Sequence, residues 1–330
     1  MNPTRITRRR FQAGLLATSV LACSALRAQP RIDAMRIVIG YPAGGSVDIV
    51  GRKLAEKLTG LLARQVVVEN KVGAAGRLAI DELKRSPADG TVMLITPAST
   101  VTLYPHVFRQ LAYDPFADLA PISTVCGSGF ALAVGPRVPD TVTNLESFTQ
   151  WCRSNPAMAQ CGNPGAGSMP HLMALLMARE LRAELAHIPY RGGLPAMQAA
   201  AAGEIAAALS TEASARALQQ AGKLRVLATT WAARSPFFPQ TASFGEQGVE
   251  RMKLREWFGA FMPANTPAAL LQATAEALRV ALQAADVRET WDKTALVVES
   301  STPAQLAAAM RSEHDFWGPL VKASGFTPET

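Results

Sequence analysis

RIVIG, residues 36–40, runs directly into YPAGGSVDIVGR, residues 41–52. An apolar β-branched run, two adjacent glycines and an amphipathic segment opened by Ser46 and Asp48 mark the passage from a strand to a helix. The first amides of such a helix lack intrahelical acceptors and carry the positive end of its dipole, so the turn can hold an anion. Alone, the stretch leaves three occupants open: a phosphate, a carboxylate, or none. In the last case Ser46 is a plain N-cap and Asp48 a first-turn acid, each favourable by about 0.5–1 kcal/mol without a ligand.

Working outward, QVVVEN at 65–70 is a second strand, KVGAAG a glycine turn into a helix reaching about residue 85, and TVMLITP at 91–97 a third strand. This is β-α-β-α-β. From about Ile122 the pattern restarts, with strands in STVCGSGFALAVG, a helix in NLESFTQWCRS, a short strand in AQCGN, then GAGSMPHLMALLMAREL as a turn and long helix. ELAHIPY, IAAALST and LRVLATT continue as strands, and REWFGAFMP at 255–263 is the last clear one, with Trp257 and Phe258 read as core aromatics. Two C-terminal helical stretches each begin at Thr-Pro, a cap followed by proline in the first turn. Strands alternating with helices predict an α/β protein with mainly parallel sheets. The restart predicts two similar lobes, with the cleft between them as the default ligand site.

The chain begins MNPTRITRRRFQAGLLATSVLACSALRAQP, with five arginines and no acids in residues 1–28 around an uncharged run from Ala13 to Ala25. That is the layout of an export signal, too short to span a bilayer. Thr7–Phe11 resembles the twin-arginine pattern, but Gln12 and Ala13 replace its usual continuation, so Sec and twin-arginine routes both stay open. Cleavage after Ala28 would release a soluble protein. The competing lipoprotein anchor at Cys23 is weakened by Leu21, where a small residue is expected. Removing residues 1–28 subtracts five charges from +7, leaving +2 over about 302 residues. That takes away the main support for nucleic-acid binding. Cys126, Cys152 and Cys161 remain; either Cys152 and Cys161 pair and Cys126 stays free, or all three are buried thiols. No CxxC or HxxxH occurs and the four histidines are scattered, so neither a metal centre nor a cofactor is predicted.

Three glycine-rich turns follow strands: Gly44-Gly45-Ser46 with Asp48, Gly73-Ala74-Ala75-Gly76, and Gly165-Ala166-Gly167-Ser168 with His171. In an open α/β sheet such turns converge on the ligand crevice. No P-loop Lys-Ser/Thr pair follows them and none reads GxGxxG, since Pro170 takes the last place in GAGSMP, which argues against a nucleotide. A hydrolase would need a nucleophile with a positioned base. Ser168 and His171 are i, i+3 neighbours, but no GxSxG elbow and no acidic orienter accompany them. A carboxylate site asks only for amides and hydroxyls, which the turns supply.

Taken in order, these segments resemble the Bug-type periplasmic receptors, the substrate-binding proteins of tripartite tricarboxylate transporters. YPAGGSVDIVGR is similar to that family's first-loop motif, VVENKVGAAGRLA to its Asn-x-x-Gly-Ala-x-Gly segment, and SPADGTVMLIT to its Pro-Ala-Asp-Gly turn, without the tyrosine that follows there. GAGSMPHLMALLM, HIPYRGGLPAMQAAAAGEI, AGKLRVLATT, EWFGAFMPANTP and DFWGPLV complete the series. The resemblance implies a two-lobe periplasmic-binding-protein fold, type II-like, that closes on a small carboxylate, without catalysis. It implies lobe one from 29–122 plus about 235–330, and lobe two from 123–234. Carried over by motif position, the ligand-binding residues are Tyr41, Ala43, Gly44, Gly45 and Asp48 from lobe one, with Pro97, Ala98 and Ser99 beside them. Gly167, Ser168, His171 and Tyr190 come from lobe two. The implied partner is a membrane permease of the tripartite type or a sensor protein, and the receptor is expected to be a monomer. One departure stands out: IAAALSTEAS offers Ser210, Thr211 and Glu212 where many relatives carry an acid and an Asn. Glu212 either faces the cleft, favouring an amine-bearing ligand, or sits on its own helix start. The alternative from another class remains an enzyme using Ser168 and His171.

Overall fold

The computed structural model describes residues 32–324 and Phe326; the export signal, its cleavage site and Cys23 lie outside the described residues. The opening stretch folds as read. β1 (Ile32–Ile39) leads through the glycine turn into α1 (Ser46–Leu58). Val47, Val50, Leu54 and Leu58 form the buried stripe of that helix, at the three-to-four-residue spacing of one face. Gly51 lets α1 lie directly on β1, since a Cβ there would stand 2.3 Å from Cδ1 of Ile39.

β2 (Ala63–Asn70), α2 (Arg77–Arg85) and β3 (Val92–Pro97) follow, and β1 pairs in parallel with both β2 and β3. Two short helices, α3 (Ala98–Thr102) and α4 (Tyr104–Val107), then lead to β4 (Leu119–Ser128). The chain changes sheet at Gly129. β5 (Phe130–Val134), α5 (Leu145–Ser154), β6 (Gln160–Asn163), α6 (Met169–Glu180) and β7 (Ala186–Pro189) come next. α7 (Gly193–Ala201), β8 (Ala207–Thr211), α8 (Glu212–Gln220) and β9 (Arg225–Thr229) complete the second set. β10 (Glu256–Pro263), α9 (Ala268–Gln283), α10 (Ala285–Lys293), β11 (Val297–Val298) and α11 (Pro303–Ser324) close the described chain.

These strands make two sheets, ordered β11-β4-β10-β3-β1-β2 and β7-β6-β8-β5-β9. The segments read as βαβ are parallel: β1 with β2 and β3, and β6 with β7 and β8. The strands that carry the chain between lobes are not. β10 is antiparallel to β3 and β4, and β5 to β8 and β9, so both sheets are mixed. Residues 123–128 belong to the six-stranded sheet, and Phe244, Val249 and Met252 pack in a core shared by β5, β8 and α6 with Leu103, Tyr104 and Trp317.

Cys126, Cys152 and Cys161 are three separate buried thiols. Burial pushes Cys152 and Cys161 up to about 12, which keeps both protonated and inert. Of the two Thr-Pro starts, only the second is capped as expected: Thr302 Oγ1 accepts from the Gln305 amide, while the Thr266 hydroxyl is buried without a partner.

Candidate functional site

Between the two sheets lies a cavity of about 260 Å³. One wall is the turn quoted first, with Tyr41, Pro42, Ala43, Gly45 and Ser46, joined by Pro97 and Ser99 at the end of β3. The facing wall comes from the other lobe: Pro164 and Ser168 before α6, Gly192 to Pro195 at the start of α7, and Ser210, Thr211 and Ser214 around the start of α8. Phe130, Phe258 and Glu256 line it where the chain crosses between lobes. The lobes touch here. A Cβ on Gly192 would stand 3.2 Å from Pro42, and one on Gly165 2.9 Å from Ala75.

Two helices begin at this space without a side-chain cap. The N-cap of α1 is Gly45 and that of α7 is Gly192, neither of which can satisfy a helix-start N–H with a side chain. Ser46 is therefore the first helical residue rather than a cap, and it lines the cavity. Ser168 does cap α6, its Oγ accepting from the His171 amide at 3.4 Å.

Asp48 lies behind the wall. Its carboxylate accepts from the Gly44 amide at 2.9 Å, Arg52 Nε at 2.8 Å and Asn70 Nδ2 at 2.9 Å, while the same Asn70 amide reaches the Tyr41 carbonyl. Burial pushes this carboxyl up, but the hydrogen bonds from Arg52, Gly44 and Asn70 outweigh it and hold it below its ordinary value. Asp48 therefore fastens the loop to α1 and β2.

The remaining sequence-derived residues divide. Tyr41, Ala43, Gly45, Pro97, Ser99 and Ser168 line the cavity together. Gly44 is turned to Asp48, and Ala98 is buried in the core. Gly167 donates its amide to His171 Nδ1 at 3.0 Å, with the Phe108 ring against it. Tyr190 lines a neighbouring interlobe space with Arg77 and Arg191. His171, whose burial keeps it neutral, packs beside His187 and Phe326. Its Nδ1 is occupied by Gly167, and Ser168 Oγ bonds its backbone rather than its ring, so the nucleophile–base arrangement of the enzymatic alternative is not assembled.

Glu212 does not line the cavity. It opens α8 and accepts from Trp231 Nε1 at 2.9 Å and Ser235 Oγ at 3.0 Å, its other oxygen buried without a partner. Burial pushes it up to about 7. The acid that does reach the cavity is Glu256, which the sequence reading passed over. The available signal was a charged residue opening the apolar strand EWFGAFMP. Phe258, read as core, is both core and cavity wall. Among the described residues no cluster of His, Cys, Asp and Glu could hold a metal ion.

Two lobes closed over a small cavity built from helix starts define a solute-binding receptor rather than an enzyme. The chain belongs to the tripartite tricarboxylate transporter receptor family, whose model matches residues 50–326. It is 32% identical to the UPF0065 protein of the gbd 5' region of Cupriavidus necator over 91% of this chain and 94% of that one. The fold is shared with the periplasmic binding protein BugD at a TM-score of 0.85, with 24% identity over 92% of this chain and 100% of that one. It is also shared with MatC of Rhodopseudomonas palustris, solved with bound malate, at a TM-score of 0.82 and 24% identity over 89% and 100%.

Proposed function

We propose that this receptor works in the periplasm, as a monomer, and captures a small organic carboxylate by closing its lobes on it. The cavity between them carries the reading: the uncapped starts of α1 and α7 both contribute to its lining, with Ser46 and Ser168 as hydroxyl donors. Amides at helix starts and hydroxyls stabilise an anion without a cationic side chain. A cavity of about 260 Å³ suits a ligand of a few carbons. The malate bound by MatC is of that kind. Tyr41, Ala43, Gly45, Pro97, Ser99 and Ser168 form the ligand wall; Gly44, Asp48, Gly167 and His171 hold that wall in shape. Strands β1–β4, β10 and β11 make one lobe and β5–β9 the other. The closed form is the signal read by a membrane permease of the tripartite type or by a sensor.

The test is a thermal-shift screen of small carboxylates, followed by calorimetry on the best of them, because binding raises stability by RT ln(1 + [L]/Kd). Ser168→Ala is expected to weaken that affinity about 3- to 10-fold, by loss of one hydrogen bond. A ligand that binds Ser168→Ala and Ser46→Ala as tightly as the native protein places the site elsewhere.

A further inference from the structure

The strand β10 is buried throughout, yet it opens with a glutamate. Glu256 is 3% exposed and forms part of the cavity wall. Its two oxygens are both turned to donors, Oε1 accepting from the Ser99 amide and Oε2 from the Ser99 hydroxyl, each at 3.3 Å. The amide must donate, whereas the hydroxyl can donate to the ionised carboxylate or accept from the protonated carboxyl. When ionised, a carboxylate in a space of low dielectric requires a positive partner. Among the described residues, no Lys, Arg or His lines the cavity. The hydroxyls of Tyr41 and Tyr104 and the carboxyl of Glu313 on α11 act on Glu256; Lys253, which shares a second space with it, pairs with Glu250. Arg255, next in the chain, pairs with Glu299 and lies over the Trp231 ring.

The cavity therefore joins an acid on one wall to helix starts that favour an anion on others. Resting on the carboxylate-receptor reading, we propose that Glu256 selects a ligand bearing a protonated amine together with its carboxylate, an amino acid or related zwitterion, in preference to a plain dicarboxylate. The ligand carboxylate lies against the starts of α1 and α7, and its ammonium donates to Glu256, which Ser99 holds in place. A dicarboxylate would offer Glu256 no positive partner and would set a second anion against its ionised form, with Glu313 behind it, where repulsion is weakly screened. Burial, then Glu313, push the Glu256 carboxyl up to about 8, so without a ligand it is mostly protonated at pH 7, and an ammonium facing it supplies the charge that favours its ionised form.

Calorimetry at pH 7 against pairs differing only by an amine tests this: alanine and propionate, aspartate and succinate, glutamate and glutarate. The amine-bearing member of the best pair is expected to bind at least about tenfold tighter. Glu256→Gln should lose about 10- to 100-fold of that affinity, the loss of a charge-assisted hydrogen bond, and hold the amine-free member as well or better. Tighter binding of the amine-free acids by the native protein overturns the proposal and leaves the carboxylate receptor standing. So does an unchanged amine preference in Glu256→Gln. If that variant fails to fold, the native preference within the pairs decides. Binding of no carboxylate, with or without an amine, overturns the carboxylate reading and this one with it.

Discussion

Asp48 shows how one side chain turns a flexible glycine loop into a wall. Its carboxylate, 2% exposed, bridges the Gly44 amide to Asn70 and Arg52. Arg52 is half exposed, so that pair contributes little; the buried hydrogen bonds dominate. Asp48→Ala is expected to cost about 1–3 kcal/mol of stability at pH 7. Because the folded carboxyl titrates below its ordinary value near 3.8, its contribution is present above that pH and is lost as pH falls through the lower folded value. Urea melts of native and Asp48→Ala protein should thus differ at pH 7 and converge below about pH 4. The Asp48 position was legible in the sequence, but its direction was not. A first-turn acid points to solvent, to a ligand or to its own loop according to what β2 places beside it, and here that is Asn70.

At the scale of elements, α1 and β1 act as one unit because Gly51 removes the spacing a side chain would impose. Ile39, against which a Cβ would press, is fully buried and has nowhere to move. Gly51→Val is expected to destabilise by about 1–3 kcal/mol through overpacking. It should also weaken carboxylate affinity, since lifting α1 displaces the amides of Gly45 and Ser46; denaturant titration and calorimetry read the two effects separately. Local pattern made these elements readable: alternating β-branched runs, glycine turns and apolar helix stripes occur within windows of a dozen residues. It did not reveal the antiparallel strands. Which neighbour β10 or β5 pairs with depends on residues more than a hundred positions away in some cases, as for Phe258 with Cys126.

Across the whole molecule, α11 ties the lobes together. Leu306 and Met310 near its start lie in the core with β3, whereas Trp317 and Val321 near its end join the core formed by α6 and the five-stranded sheet. Trp317→Ala is expected to cost about 3–5 kcal/mol, the usual range for emptying a buried tryptophan site. Urea unfolding followed by tryptophan fluorescence would show it, and an unchanged midpoint would mean that α11 does not couple the lobes.

The order of motifs in the sequence determined the family, the two-lobe α/β architecture and the turns that form the cleft, because each is written in short-range pattern. Only the tertiary structure decided which residues of those turns line the interlobe cavity. Ser46 and Ser168 line the cavity while Asp48 and His171 brace it, and Glu212 is drawn to Trp231 while Glu256 enters the cavity. The physical reason is the same in each case. A polar side chain is directed by the donors and acceptors that packing brings within about 3 Å of it, and those come from distant parts of the chain.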